Sequence, residues 1–314
     1  MGQSGYSLTS LISFLCNKKI LSGRLDDLSK VRTKSQSQQG FEVAKRNRSV
    51  TAKSKERRRQ EGRGTGTGKN YKPELLIQDV ASIGLATRDR GWKTGRVHHF
   101  MSLLEWFYFY SLEWSLDVLD IREQFPLAHE ETLAIAKRLG IRHPADPKTK
   151  EPIVMTTDFV VTVGNMTHNT IVARTIKYQN KLSSRRVMEK FEIERVYWTS
   201  RDVDWGIVTE RDISREFAGN VEWVHSHRDL ASIAPITEGT VREVETHLAP
   251  KLFSNSTPLR ILTEECDQKL LLQVGTSLTV VRYLLANRRL ETDMNTRIQP
   301  ERILTLTAKP TVLQ

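Results

Sequence analysis

Residues 152–177, PIVMTTDFVVTVGNMTHNTIVARTIK, decide the fold of this chain. Two runs rich in β-branched and aromatic residues, 153–163 and 170–177, flank the turn-rich segment 164–169. This pattern predicts a β-hairpin. Side chains alternate between the two faces of a strand, so the position of the turn decides which residues share a face.

A turn centred between Met166 and Thr167 places Asp158 opposite Thr175, because both lie equally far from that centre. Thr175 and Lys177 then point the same way. A carboxylate, a hydroxyl and an ammonium group on one face suit a metal-dependent nuclease, which needs oxygen ligands for a divalent ion and a cation near the phosphate. The alternative interpretation is a surface hairpin with ordinary polar residues on its wet side.

The composition indicates a globular protein of two domains with tails. The chain has 314 residues, of which 38% are hydrophobic, and no apolar run approaches the roughly 20 residues that a membrane span needs. The two cysteines, Cys16 and Cys266, lie far apart. This spacing argues against a disulfide framework and fits a reducing compartment, so we expect a cytoplasmic protein.

Positive charge is concentrated at the start of the chain. Residues 1–72 hold 17 Lys and Arg but only 5 Asp and Glu, whereas the whole chain has a net charge of +11. Residues 22–72 lack hydrophobic periodicity, so we predict that residues 1–72 form a basic, largely disordered arm. Such an arm would contact nucleic-acid phosphates, and the alternative is a solubilising tail.

The segment Thr94–Ser115 has apolar residues at helical spacing and predicts one helix that contains Glu105. A carboxylate among these residues costs several kcal/mol unless it is paired, hydrogen-bonded or bound to a cation. Glu105 is therefore a candidate ligand for a metal or water, or else an exposed residue on the helix edge. His98 and His99 are adjacent and share no helix face, so we interpret them as packing or phosphate contacts.

The remaining pattern predicts two domains. Alternation over 118–125, helical spacing over 129–139 and 185–199, and a short apolar run over 204–209 flank the hairpin, which favours an α/β sandwich with a mixed sheet over residues 73–210. Residues 211–314 show several short helical segments followed by short strands over 287–306. They predict a winged-helix-like, α-rich module that contacts DNA or, given its mixed charge, docks a protein.

Five blocks of this sequence carry a family resemblance. They are EGRGTGTGKNYKPELLIQDV (61–80), WKTGRVHHFMSLLE (92–105), SLEWSLDVLDIREQFPL (111–127), TTDF (156–159) and EKFEIERVYW (189–198). In this order they resemble the TnsA family, the endonuclease subunits of heteromeric bacterial transposases. The resemblance spans about residues 61–225.

The resemblance implies a restriction-endonuclease-like domain followed by a winged-helix-like C-terminal domain. It implies a Mg²⁺-dependent endodeoxyribonuclease, with Mn²⁺ as a substitute, that cuts the 5′ ends of a transposon during cut-and-paste transposition. The expected partners are double-stranded DNA at the transposon ends, the transposase TnsB, which cuts and joins the 3′ ends, and the AAA+ regulator TnsC, which docks on the C-terminal domain. The implied location is the bacterial nucleoid in the cytoplasm.

The resemblance also assigns roles to residues. The family's catalytic positions fall on Glu105, Asp158 and Lys177, and its metal ligands fall on Glu105, Asp158 and Thr175. The family usually has Gln where this chain has Thr175, which reaches less far but still offers a hydroxyl or a main-chain carbonyl to a hard cation. Glu194 is implied as a supporting or second-metal group.

Two other functions are compatible with the sequence. The departure at Thr175 could mark a catalytically degenerate assembly subunit that bridges TnsB and TnsC on DNA. The chain could also be a stand-alone nuclease of restriction or repair type, which would cleave DNA without a transposase.

Overall fold

The computed structural model of the chain describes residues 49–80, 86–165, 168–254 and 256–307. The strands are β1 (Thr87–Arg90), β2 (Val97–Phe100), β3 (Val118–Pro126), β4 (Thr156–Gly164), β5 (Asn169–Ile176) and β6 (Asp204–Val208). The α-helices are α1 (Ala52–Gln60), α2 (Leu103–Trp114), α3 (His129–Arg138), α4 (Arg185–Thr199), α5 (Arg215–His225), α6 (Glu238–Ser254), α7 (Leu259–Lys269) and α8 (Thr276–Ala286).

The central sheet is mixed, as predicted. Its strand order is β3-β4-β5-β6, with antiparallel pairs β3–β4 and β4–β5 and a parallel pair β5–β6. The aromatic side chains of α2 share a buried cluster with one face of the sheet. Side chains of α3 and α4 form a second cluster with the other face, so the domain is an α/β sandwich.

The hairpin has the register that the sequence predicts. Phe159 pairs with Arg174 and Gly164 pairs with Asn169, which centres the turn between Met166 and Thr167. Those two turn residues lie outside the described part of the chain. The paired residues end at Phe159 and Arg174, so the predicted Asp158–Thr175 pair lies one residue beyond the observed pairs.

The predicted helix over Thr94–Ser115 is wrong in its first third. Residues 97–100 form β2, which pairs with β1, and the helix begins at Leu103 after the N-cap Ser102. Contacts with distant residues override the helical pattern here. β2 pairs with β1, and His98 is buried between Thr94 and Glu123.

Residues 49–72 are folded, so the prediction of a disordered arm is wrong for this part, while residues 1–48 lie outside the described residues. Thr51 caps α1 through a reciprocal hydrogen-bond pair with Ser54. Five of the eight basic residues in 49–72 form ion pairs with carboxylates. These are Lys55, Arg57, Arg58, Arg59 and Arg63.

The glycine-rich segment 61–74, which we term the strap, lies along the edge strand β3. The Gly68 N–H donates to Asp120 Oδ1 at 3.1 Å, and the Tyr71 hydroxyl donates to the main-chain carbonyl of Glu123 at 3.1 Å. The Glu74 N–H donates to the Gln124 carbonyl at 3.1 Å. The strap thereby covers backbone groups of an edge strand that would otherwise be free to pair.

The C-terminal helices α6, α7 and α8 enclose their own apolar core. Within residues 287–306, a single antiparallel bridge joins Thr292 and Leu306, and no strand is assigned to this segment, so the strands predicted there are wrong. No helix in the described ranges combines the length and apolar character needed to cross a membrane.

Glu123 on β3 is a buried charged residue in the domain that contains the mixed sheet. Its side chain is fully buried and accepts hydrogen bonds from Arg96 Nη1 at 2.8 Å, while His98 Nδ1 lies 2.8 Å from its other oxygen. Burial opposes its charge, but His98 and Arg96 lower the pKa of Glu123 to about 2. The carboxylate therefore joins β2 to β3.

We predict that Glu123→Gln destabilises the fold by about 3–5 kcal/mol, because it leaves the buried Arg96 guanidinium without its counter-charge. Urea unfolding at pH 7 measures this loss. The exposed Glu243→Gln is the control and should stay within about 0.5 kcal/mol of wild type. An equal, small effect of both substitutions would contradict the buried pair.

A matched glycine pair tests the strap. Gly64 and Gly68 both have left-handed backbones, with φ of 77° and 51°. A Cβ at Gly64 would lie 2.2 Å from Pro126 Cγ, whereas a Cβ at Gly68 meets nothing within 4 Å.

Gly68→Ala should therefore lower the free energy of unfolding only by the cost of placing alanine in a left-handed backbone, about 1–2 kcal/mol. Gly64→Ala should lower the free energy of unfolding by about 1–3 kcal/mol more, because the added methyl group clashes with Pro126. It should also speed limited proteolysis within the strap. Equal losses in urea unfolding would show that the strap does not pack on Pro126.

Candidate active site

Glu105 lies in the first turn of α2 and is held by its own N-terminal cap. Ser102 Oγ donates to Glu105 Oε1 at 2.9 Å, and the Met101 N–H donates to Oε2 at 2.9 Å. The side chain is 6% exposed. The exposed-edge interpretation is wrong, and a buried, oriented carboxylate takes its place.

Asp158 lies near the start of β4, within reach of the same place. Its Oδ2 accepts the Ile176 N–H at 2.7 Å, so the first carboxylate of the hairpin is fixed by the partner strand. Burial raises the pKa of Asp158. The two predicted carboxylates, from a helix and a strand far apart in sequence, are thus brought together.

Gln124 on β3 lies between these carboxylates. It is not among the candidates that the sequence indicates. Its Nε2 lies 3.4 Å from Glu105 Oε2 and 3.4 Å from Asp158 Oδ1. The side chain is 3% exposed. A polar residue within an alternating strand gave no signal, because its role depends on a backbone φ of 48° that the sequence does not reveal.

Lys177 supplies positive charge to the same site. Its charge acts to lower the pKa of both Glu105 and Asp158, against the larger effect of burial. The Lys177 N–H donates to the Val208 carbonyl at 2.9 Å, which places the residue at the end of β5 beside β6. Its predicted position next to the carboxylates is consistent with these contacts.

Thr175 directs its hydroxyl elsewhere. Thr175 Oγ1 donates to Glu194 Oε1, and Thr157 Oγ1 donates to the same oxygen at 2.6 Å. Trp205 Nε1 donates to Thr175 Oγ1 at 3.3 Å. Burial raises the pKa of Glu194 to about 7. The Thr175 side chain therefore belongs to a buried network beneath the sheet, and its role as a metal ligand stays a prediction.

The Glu105–Asp158 pair has the chemistry of a hard-cation site. Burial, together with the nearby Asp158 charge, raises the pKa of Glu105 to about 8. A divalent cation would relieve this repulsion, and carboxylate oxygens are its preferred ligands. Across the described residues, no three His, Cys, Asp or Glu side chains converge, so the remaining ligands would be neutral oxygens. Mg²⁺ commonly binds through one or two carboxylates and keeps waters or phosphates.

His98, a sequence candidate for a packing or phosphate contact, serves packing, and one arginine of the C-terminal module is likewise engaged within the protein. His98 is fully buried and stacks near Phe100 and Phe109, in agreement with its interpretation as a packing residue. On the third C-terminal helix, α8, Arg282 donates to the Trp223 carbonyl at 2.8 Å and lies over the Trp223 ring. This arginine is engaged within the protein and is not presented for base contacts.

Comparison with known proteins identifies the family of this chain. The family described as "TnsA-like endonuclease N terminal" matches residues 115–210, and the family described as "TnsA endonuclease C terminal" matches residues 212–294. The Tn7 transposition protein TnsA of Escherichia coli is 36% identical over 230 residues, which cover 70% of this chain and 78% of that protein. The chain therefore belongs to the TnsA family of transposition endonucleases.

Proposed function

We propose that the chain is a Mg²⁺-dependent endodeoxyribonuclease that cuts the 5′ ends of a transposon during cut-and-paste transposition. The observation that carries this proposal is the proximity of the buried Glu105 and the partly buried Asp158, each with one oxygen 3.4 Å from Gln124 Nε2. The mixed sheet with helices on both faces is compatible with a restriction-endonuclease-like domain. Mn²⁺ is the expected substitute for Mg²⁺.

Glu105 and Asp158 would hold the cation. When bound, the cation lowers the pKa of a water and neutralises charge on a phosphate. Lys177 would orient the attacking water or stabilise the extra negative charge on the phosphate oxygens. Water adds to phosphorus and the bond to the 3′ oxygen breaks, which yields a 5′-phosphate and a 3′-hydroxyl.

Partner binding is assigned to the C-terminal module, as part of this proposal. Leu271 and Val274, between α7 and α8, are 92% and 87% exposed. Asp267 holds this turn by accepting the N–H groups of Gly275 and Ser277 at 2.7 and 2.8 Å. This exposed apolar turn of the α-rich C-terminal module supports docking of TnsC. TnsB would act at the same DNA ends, in the bacterial nucleoid.

A second candidate function rests on Thr175. Because its hydroxyl is engaged with Glu194, a site that requires this hydroxyl as a ligand would be incomplete. The chain would then bridge TnsB and TnsC on DNA without cutting. A stand-alone nuclease differs from both, since it would cleave DNA in the absence of TnsB and TnsC.

We predict that Asp158→Ala abolishes 5′ cleavage, because one of two charged ligands is lost, while DNA and partner binding persist. The assay follows products from a donor plasmid with TnsB and TnsC. Wild type should give clean excision, and the variant should give only 3′ joining and cointegrates. Asp229→Ala, an exposed aspartate outside the site, is the control and should excise normally.

Cointegrates from wild type as well would sink the nuclease assignment in favour of the assembly function. A variant that cuts at nearly the wild-type rate would remove Asp158 from the site.

The raised pKa of Glu105 predicts a pH dependence of stability in metal-free protein. The folded state keeps the Glu105 proton up to about pH 8, whereas the unfolded chain loses it near its ordinary value of about 4.3. Stability should therefore fall as the pH rises through this window, by at most about 1.4 kcal/mol per pH unit from this group.

Glu105→Gln should remove this contribution, so the stability difference between variant and wild type should grow in favour of the variant from pH 5 to 8. Urea unfolding in EDTA measures it, with Glu243→Gln as the control. If the free energy of unfolding changed with pH in the same way for wild type and Glu105→Gln, the raised pKa of Glu105 would be refuted.

A further inference from the structure

The cation site leaves one ligand question open. Two carboxylates converge, and no third acidic, His or Cys side chain joins them among the described residues. A divalent cation held by the protein at two points only would be poorly fixed relative to the scissile phosphate. A neutral side-chain oxygen close to both carboxylates would complete the protein's share of the coordination.

Gln124 is the side chain in that position. It is buried, and its amide lies 3.4 Å from one oxygen of each carboxylate. These distances are longer than the usual 2.7–3.2 Å for N–H···O hydrogen bonds. The amide is therefore adjacent to both carboxylates without being tightly bound to either.

The backbone explains how Gln124 reaches this place. Its φ of 48° lies in the left-handed region, which is unfavourable for any residue other than glycine and is concentrated at functional sites. Glu123 before it contacts Arg96 and His98, whereas Phe125 after it packs against Trp198 on the opposite face. The unusual φ breaks the strand alternation and aims Gln124 between the carboxylates.

We propose that the Gln124 amide oxygen is a third protein ligand of the divalent cation, presented by a half-turn of the amide group. In the structure, Gln124 Oε1 accepts from Thr156 Oγ1 at 3.2 Å, and Nε2 faces the carboxylates. A hydroxyl both donates and accepts, so after the half-turn Thr156 can accept from Nε2. The rotation then exchanges one hydrogen bond for another on that side.

Charge decides which orientation is favoured. An amide oxygen that faced two carboxylates without a cation would be repelled, so the N–H group faces them. A cation between the carboxylates reverses this preference, because the amide oxygen is a hard donor. The strap fixes the main chain throughout, since Glu74 N–H donates to the Gln124 carbonyl at 3.1 Å. This inference rests on the proposed metal-dependent function.

The test measures Mn²⁺ binding to the full chain by calorimetry, without DNA and without turnover. Gln124→Met keeps the side-chain length but removes the amide, and Gln124→Glu replaces the amide by a carboxylate that can ligate but cannot donate when charged. Gln124→Gly tolerates the left-handed backbone and serves if the Met variant does not fold. Gln273→Met, on an exposed turn, is the matched control.

We expect Gln124→Met and Gln124→Gly to weaken Mn²⁺ binding about tenfold or more. Gln124→Glu should bind Mn²⁺ at least as tightly as wild type, and Gln273→Met should match wild type. Thermal unfolding in EDTA verifies that each variant is folded.

Binding by Gln124→Met within twofold of wild type would overturn the proposal. Equal weakening of Mn²⁺ binding by Gln124→Glu and Gln124→Met would also overturn it. In that case the Gln124 N–H group would only hold the carboxylates in place by donating hydrogen bonds. If the expected pattern of Mn²⁺ affinities appears but wild type cuts no DNA, the ligand assignment stands and the nuclease function fails.

Discussion

Two carboxylates, the buried Glu105 and the partly buried Asp158, lie close together in the nuclease domain, and the surrounding contacts must hold them there. Glu105 and Asp158 repel each other wherever both are charged, and burial makes that repulsion stronger than it would be in water. The fold tolerates it through donors aimed at each carboxylate: a capping serine and a main-chain N–H for Glu105, and a cross-strand N–H for Asp158. A bound cation would relieve the remaining repulsion, as the proposed metal-dependent function requires.

Strand β3 connects the two carboxylates to the buried ion network of the domain. On one side Glu123 joins it to Arg96 and His98 in the core, and on the other Gln124 contacts the two carboxylates. The strap covers its exposed edge. One strand therefore carries a structural ion network and the link to the candidate site at consecutive residues, so a substitution that disturbs the first should also displace the second.

The charge of the N-terminal region has a different use from the one its composition indicates. Most basic residues of 49–72 pair with carboxylates, and Arg58 is buried against Glu74. Lys55, Arg58 and Arg63 pair with carboxylates further along the chain, whereas the pairs of Arg57 and Arg59 are local to α1 and its end. Attraction of DNA to that part of the chain therefore depends on fewer free cations than a count of Lys and Arg predicts.

Much of the architecture could be predicted from residue patterns. The hairpin register and the boundaries of α4 follow from local periodicity, because side chains repeat every 2 residues in a strand and every 3.6 in a helix. Asp158 and Glu105 could be singled out because charge within an apolar pattern demands a partner. The family resemblance then assigned roles to them that periodicity does not supply.

Residue patterns alone therefore predicted the hairpin and several helices, and singled out Glu105 and Asp158 as candidates. Contacts in three dimensions were needed to show that 97–100 is a strand, that 49–72 is folded, that the Thr175 hydroxyl turns to Glu194, and that Gln124 lies between the carboxylates. The physical reason is that each depends on contacts between segments distant in the chain, and on one left-handed backbone angle, which no local repeat encodes.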